Sequence, residues 1–103
     1  MAGFVQIIEF QTSRIEEIRA LVDKFRSERA AEGDASTAPV RGTFTQDRDR
    51  PGHYLNVVEF PSYDAAMANS TRPETGEFAA KLAELCDAPP TFHNLDVVEA
   101  WEL

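Results

Sequence analysis

An α+β fold is what this chain predicts: a four-stranded antiparallel sheet with helices on one face, in the order β-α-β-β-α-β. Three observations predict it. One is a near-repeated strand: Ile7-Ile8-Glu9-Phe10, Val57-Val58-Glu59-Phe60 and Val97-Val98-Glu99-Ala100. A second is that apolar residues between these strands recur at helical spacing. The third is length. A chain of 103 residues has helix enough for one face of a sheet, yet paired aliphatics in each strand ask for burial on both.

Each element has its own signal. Phe4 to Gln11 is rich in β-branched and aromatic residues and reads as the first strand. Thr12-Ser13 opens a helix, and Ser13 with Glu16 has capping-box spacing. Ile15, Ile18, Leu21, Val22 and Phe25 form its apolar face, with Arg14, Glu17, Lys24 and Glu28 mostly opposite, in solvent. Gly33-Asp34 ends it. Ala38 to Gln46 is a second, weaker strand with Gly42 inside it. The polar run from Gln46 to Gly52 is a hairpin loop leading to a third strand, His53 to Phe60. Ser62 caps a short helix through Asp64 and Ala68, which Arg72-Pro73 breaks. A further helix runs from about Glu74 to Asp87, with Phe78, Leu82, Leu85 and Cys86 on one side; Pro89-Pro90 stops it. Thr91 to Trp101 reads as the last strand. The order is that of a split βαβ, ferredoxin-like domain covering residues 1–103.

Composition narrows the partners. Ten basic residues against 18 acidic give a net charge of −8, which repels phosphate backbones and anionic membrane surfaces, so no nucleic acid and no membrane partner is expected. No apolar run approaches the ~20 residues a membrane span needs. Met1 to Phe10 lacks the basic start of an export signal, and Cys86 has no second cysteine to pair with; the expected location is cytoplasmic.

Alternation sorts the strands into two faces. Val5, Ile7, Glu9, Leu55, Val57, Glu59, Leu95, Val97, Glu99 and Trp101 share one, together with Arg41 and Thr43. This face is aliphatic, with carboxylates that would pair with an arginine such as Arg41, and a second copy of the chain is its expected cover. The other face carries Phe4, Gln6, Ile8, Phe10, Tyr54, Asn56, Val58, Phe60, Phe92, Asn94, Asp96 and Val98. Amides in mid-strand cost about 1–3 kcal/mol each when buried without partners. Gln6, Asn56 and Asn94 therefore either bond one another or line a pocket, with Phe25 and Phe78 as its apolar wall.

The chain resembles the dimeric α+β-barrel superfamily, and within it the antibiotic-biosynthesis-monooxygenase domain. The resemblance spans essentially the whole sequence. It rests on Tyr54-Leu55-Asn56-Val57-Val58-Glu59-Phe60 followed by Pro61-Ser62-Tyr63-Asp64-Ala65-Ala66-Met67, on Asn69-Ser70-Thr71-Arg72-Pro73-Glu74-Thr75, and on Phe92-His93-Asn94-Leu95-Asp96-Val97-Val98. It implies homodimers whose sheets meet through one face, each protomer keeping a small-molecule pocket between sheet and helices. Activities of such families include oxygenation of polycyclic phenols and quinols without metal or flavin, and haem degradation. Haem-degrading relatives pair a first-strand Asn with a helix Trp and an axial His. The matching positions here are Gln6, Asn69 and Phe78, so no cofactor is expected. The helix Trp usual in the monooxygenases is also absent; Trp101 lies on the last strand.

The resulting expectation is a homodimer that takes an aromatic or polyketide-like substrate. His93 is the candidate base and Tyr54 a hydrogen-bond donor. Gln6, Asn56, Phe60, Asn69, Arg72, Phe78 and Asn94 are the candidate substrate-binding residues. The alternatives are a non-catalytic ligand-binding dimer and a purely structural assembly with no cavity. A metal site is not expected, because no HxH or HxxxH spacing occurs. Cys86 reads as core packing.

Overall fold

The computed structural model describes residues 3–31 and 38–103. Strand β1 (Phe4–Gln11) leads into helix α1 (Ile15–Ala31), then the hairpin β2 (Arg41–Gln46) and β3 (His53–Phe60). Helices α2 (Tyr63–Ser70) and α3 (Pro73–Leu85) and strand β4 (Thr91–Asp96) complete the chain. The four strands form one antiparallel sheet in the order β2-β3-β1-β4, as expected of the ferredoxin-like arrangement. The expected end of α1 at Gly33-Asp34 lies outside the described residues.

Helices cover the even-numbered face. Ile8, Phe10 and Tyr54 pack against Ile18 of α1 and Leu82 of α3, with Phe78, Leu85 and Cys86 at the margin. Phe4 and Phe60 pack with Ala66 of α2 in a second cluster. Burying a side chain the size of Ile18 or Leu82 stabilises by about 1.5–3 kcal/mol, so these contacts fix the helix layer. The break between α2 and α3 has a simple cause. Pro73 sits in the first turn of α3, where its missing N–H is not needed, and it holds Arg72 extended (φ −68°, ψ 137°). Ser62 caps α2 as expected, its Oγ accepting from Ala65 N at 3.1 Å.

Three local expectations are corrected. The Ser13–Glu16 capping box does not form. Thr12 Oγ1 instead accepts from Arg14 N (2.9 Å) and donates to Leu85 O (2.7 Å), while Ser13 Oγ donates to Asp87 Oδ1. Thr12 thus ties the start of α1 to the end of α3, a tertiary bond that local spacing does not reveal. Strand β2 begins at Arg41 rather than Ala38. Strand β4 stops at Asp96, so Val97, Glu99 and Trp101 are not sheet residues. Phe4, the first residue of β1, already pairs with Asp96; after one more bond, from Val97 N to Gly3 O, the chain overhangs the sheet. Val98 is accordingly 98% exposed, and the third copy of the strand motif has no strand to lie against.

One glycine is fixed by its surroundings. A Cβ at Gly3 would stand 2.8 Å from Pro61 O, so the entry to β1 has no room for a side chain. In the β2–β3 loop, Gly52 takes φ 80°, and its carbonyl accepts from Thr12 N.

Candidate functional site

The register explains why a hollow exists. At one end of the β1–β3 ladder Phe4 faces Phe60, and at the other Phe10 faces Tyr54. These large pairs fill the space under the helices. Between them Gln6 faces Val58 and Ile8 faces Asn56, which reach less far. A pocket of about 540 Å³ opens over them. Its floor is Gln6, Ile8, Asn56 and Val58, its roof Val22, Phe25 and Arg29 of α1 with Phe78 of α3, and Asn69 closes the α2 side. Gly42 and Phe44 of β2 carry the wall to the mouth, with Pro39 and Val40. The volume lies within the ~300–1,000 Å³ typical of small-molecule sites, and the mix of apolar wall and few polar groups is characteristic of them.

Phe25 and Phe78 pack ring on ring, with centroids 4.6 Å apart. They form the apolar ceiling expected of them. Asn69 is 8% exposed, and its Oδ1 accepts from Arg29 Nε at 3.3 Å. Arg29 is itself 7% exposed. The sequence reading did not single it out, although a signal existed. Ile18, Val22, Phe25 and Arg29 follow one another at spacings of four, three and four, so Arg29 occupies the next position of the apolar stripe.

The remaining candidates are placed differently. Gln6 lines the pocket, but its Nε2 donates to Asn94 Oδ1 at 3.0 Å, so these two amides share one hydrogen bond, and Asn94 stands beyond the lining. Asn56 lines the pocket. Tyr54 is buried in the core, stacked on Phe10 with centroids 5.7 Å apart, and Phe60 is buried in the cluster with Phe4; neither is part of the lining. Arg72 pairs with Glu74 (Nη2 to Oε2, 2.7 Å) at the start of α3. His93 stands opposite Ile7 in the register, which puts it on the helix-free face, away from the pocket. There its Nε2 lies 3.1 Å from Glu9 Oε1. His53, opposite Gln11, shares that side. His93 and Tyr54 therefore do not meet over a common substrate position. The alternation of β4 already assigned His93 to the side of Leu95.

The helix-free face carries its own charges. Glu9 bonds His93 and also Arg50 (3.3 Å), and Arg50 in turn bonds Asp47 (2.9 Å). The His93 hydrogen bond, and then that of Arg50, hold the Glu9 carboxyl below the ordinary glutamate range. Arg41 pairs with Glu59 at 3.5 Å, as the sequence suggests. Cys86 is half-buried; burial first, and Asp87 second, raise its thiol, which disfavours a thiolate nucleophile. Among the described residues, no group of three His, Cys, Asp or Glu side chains could hold a metal ion, and no helix is long and apolar enough to cross a membrane.

The fold is an α+β, ferredoxin-like one shared by solved structures that include antibiotic biosynthesis monooxygenases. Solved structures with this fold are numerous. SnoaB, a cofactor-independent oxygenase from Streptomyces nogalater, superposes with a TM-score of 0.76 at 16% identity, covering 97% of each chain. A conserved protein from Methanosarcina mazei Go1 gives 0.77 at 12% identity over 93% of each chain. A candidate antibiotic biosynthesis monooxygenase from Bordetella bronchiseptica gives 0.71 at 19% identity, covering 94% of this chain and 99% of the other. No protein-family model matches the sequence, and no curated protein matches it significantly. At such identities the likeness is one of fold.

Proposed function

We propose that the protein binds an aromatic small molecule between its sheet and its helices and oxygenates it without metal or flavin. The observation that carries this reading is the 540 Å³ pocket, roofed by Phe25 and Phe78 and furnished with Asn56, Asn69 and Arg29. The fold shared with a cofactor-independent oxygenase supports it. The polar groups of the pocket are suited to hydrogen-bond donation toward oxygen. Donors aimed at a phenol or enol oxygen stabilise its anion, which is the form that passes an electron to O₂. For an anthrone-type substrate the balance is CH₂ + O₂ → C=O + H₂O. The anion adds oxygen as a peroxide, and loss of water leaves the quinone. Asn56 and Asn69 hold the substrate oxygens, and the first proton leaves to solvent.

One observation favours a second reading, ligand binding without catalysis. Neither histidine reaches the pocket, and among its described lining residues there is no carboxylate to serve as base. The two readings separate in one experiment: incubation with a panel of anthrones and quinols, with and without air, followed by mass spectrometry. Oxygen-dependent product without added cofactor is expected. Binding without turnover of any of them selects the second reading.

The same proposal includes a homodimer joined through the helix-free face, within a soluble cytoplasmic protein. Val5, Ile7, Leu55 and Val57 stand there only half-buried, and Leu95 is exposed. The overhanging Val98 and Trp101 add further exposed apolar surface. Light scattering after gel filtration tests this; a monomeric mass overturns it.

A further inference from the structure

Among the described lining residues, Gly42 is the one without a side chain, and nothing in its own strand asks for a glycine. Its backbone is not in the left-handed region. The β2–β3 register runs one to one from Arg41–Glu59 to Gln46–Tyr54, so no bulge occurs there. Among the described residues, an added Cβ would meet no atom within 4 Å. A glycine in a strand weakens it, because it packs nothing and leaves the unfolded chain freer. Of the usual reasons for a strand glycine, one is left: something else comes close to the backbone.

The register says where. Gly42 faces Val58 across one ladder, and Val58 faces Gln6 across the next. Residues opposite one another share a face, so the three form one row across β2, β3 and β1 on the pocket side. With strands about 4.8 Å apart, the row spans about 10 Å. The neighbouring row is Phe44, Asn56 and Ile8. Phe44 has its ring toward Phe10 and Tyr54, at centroid distances of 5.9 and 6.0 Å, on the side of the row away from Gly42. A side chain at position 42 would stand beside Val58 and close the row. Without one, the floor runs level over β2 to the mouth.

We infer that Gly42 sets the length of the molecule the pocket accepts. A flat ligand of about three fused rings lies across Val58 with its outer ring over the Gly42 backbone, and a larger residue at 42 would shorten the site to two rings. This rests on the pocket reading above and deepens it by naming the residue that selects ligand size. The glycine gives up strand stability for that length, so filling it should separate the two properties.

Acridone and 4-quinolone test it. Both are neutral, both carry a ring N–H and a ring carbonyl, and they differ by one fused ring. Each is titrated by fluorescence against wild type, Gly42→Ala and Gly42→Val, and each protein is unfolded in urea. Wild type is expected to bind acridone about tenfold or more tightly than 4-quinolone. Gly42→Val should lose about tenfold or more for acridone while keeping 4-quinolone within about twofold, with Gly42→Ala between. The urea midpoint of Gly42→Val should equal or exceed that of wild type, because valine suits a strand better than glycine. Unchanged acridone affinity in Gly42→Val, an equal loss of both ligands, or a lowered urea midpoint overturns the inference and leaves the pocket reading standing. Binding of neither ligand to wild type overturns both.

Discussion

Val57 and Val58 are adjacent in the chain and belong to different surfaces. Val58 lies on the floor of a pocket under three helices; Val57, with Val5, Ile7 and Leu55, lies on a face that no helix covers. The covered face alternates aromatic ends with a polar, shorter middle, and so encloses a hollow. The bare face is aliphatic along its length, with its charges paired to one another around Glu9, Arg50 and His93. One sheet thus separates a pocket from an uncovered aliphatic surface by the direction in which successive side chains point. A buried-looking strand pattern therefore has two meanings. On one side it means packing against the chain's own helices, and on the other it means packing still to be found.

Substitutions on the two faces have separate expected consequences. The largest effect is expected for Val57→Asp. A carboxylate in the middle of the bare face should convert the proposed dimer to monomer, seen by light scattering, with the fold retained by circular dichroism. A dimer that survives this change would mean that the bare face is not the seam. Ile18→Ala comes next. It should lower stability by about 2–5 kcal/mol in urea unfolding, because Ile18 is fully buried between α1 and the sheet. Asn56→Leu should weaken ligand binding by about 1–3 kcal/mol by calorimetry, with the dimer intact. Loss of the dimer from Asn56→Leu would show that the two faces are inverted.

The smallest effect concerns Glu9. Because its carboxyl is held below the ordinary value by His93 and Arg50, its contribution to stability is complete above the ordinary glutamate range and is lost as pH falls through the lowered value. Urea midpoints of wild type and Glu9→Gln should therefore differ most near neutrality and converge in acid. The group is solvent-screened, so the separation should be small.

Much of this organisation was legible in the residues. Alternation placed Gln6, Ile8, Asn56 and Val58 on one face and Val5, Ile7, Leu55 and Val57 on the other, and helical spacing put Phe25 and Phe78 above the first set. What failed was whatever depends on partners distant in the chain. The run Val97-Val98-Glu99-Ala100 has the alternation of a strand but lies beyond the first residue of β1, so nothing remains for it to pair with. Thr12 displaced Ser13 at the start of α1 because it bonds Leu85, 73 residues away. Tyr54 is expected at the pocket as a hydrogen-bond donor and Phe60 as a substrate contact because they share its face; their bulk instead makes them the props at either end of it. Arg29 was overlooked because a charged residue on a helix normally points to water, and only its place in the apolar stripe argues otherwise.

The strict alternation of β1 and β3 has a practical corollary for protein engineering. Codons 6, 8, 56 and 58 can be randomised to search for new specificities while their odd-numbered neighbours stay constant. The two properties occupy separate letters of the same short text, so a library built on one set leaves the other unedited.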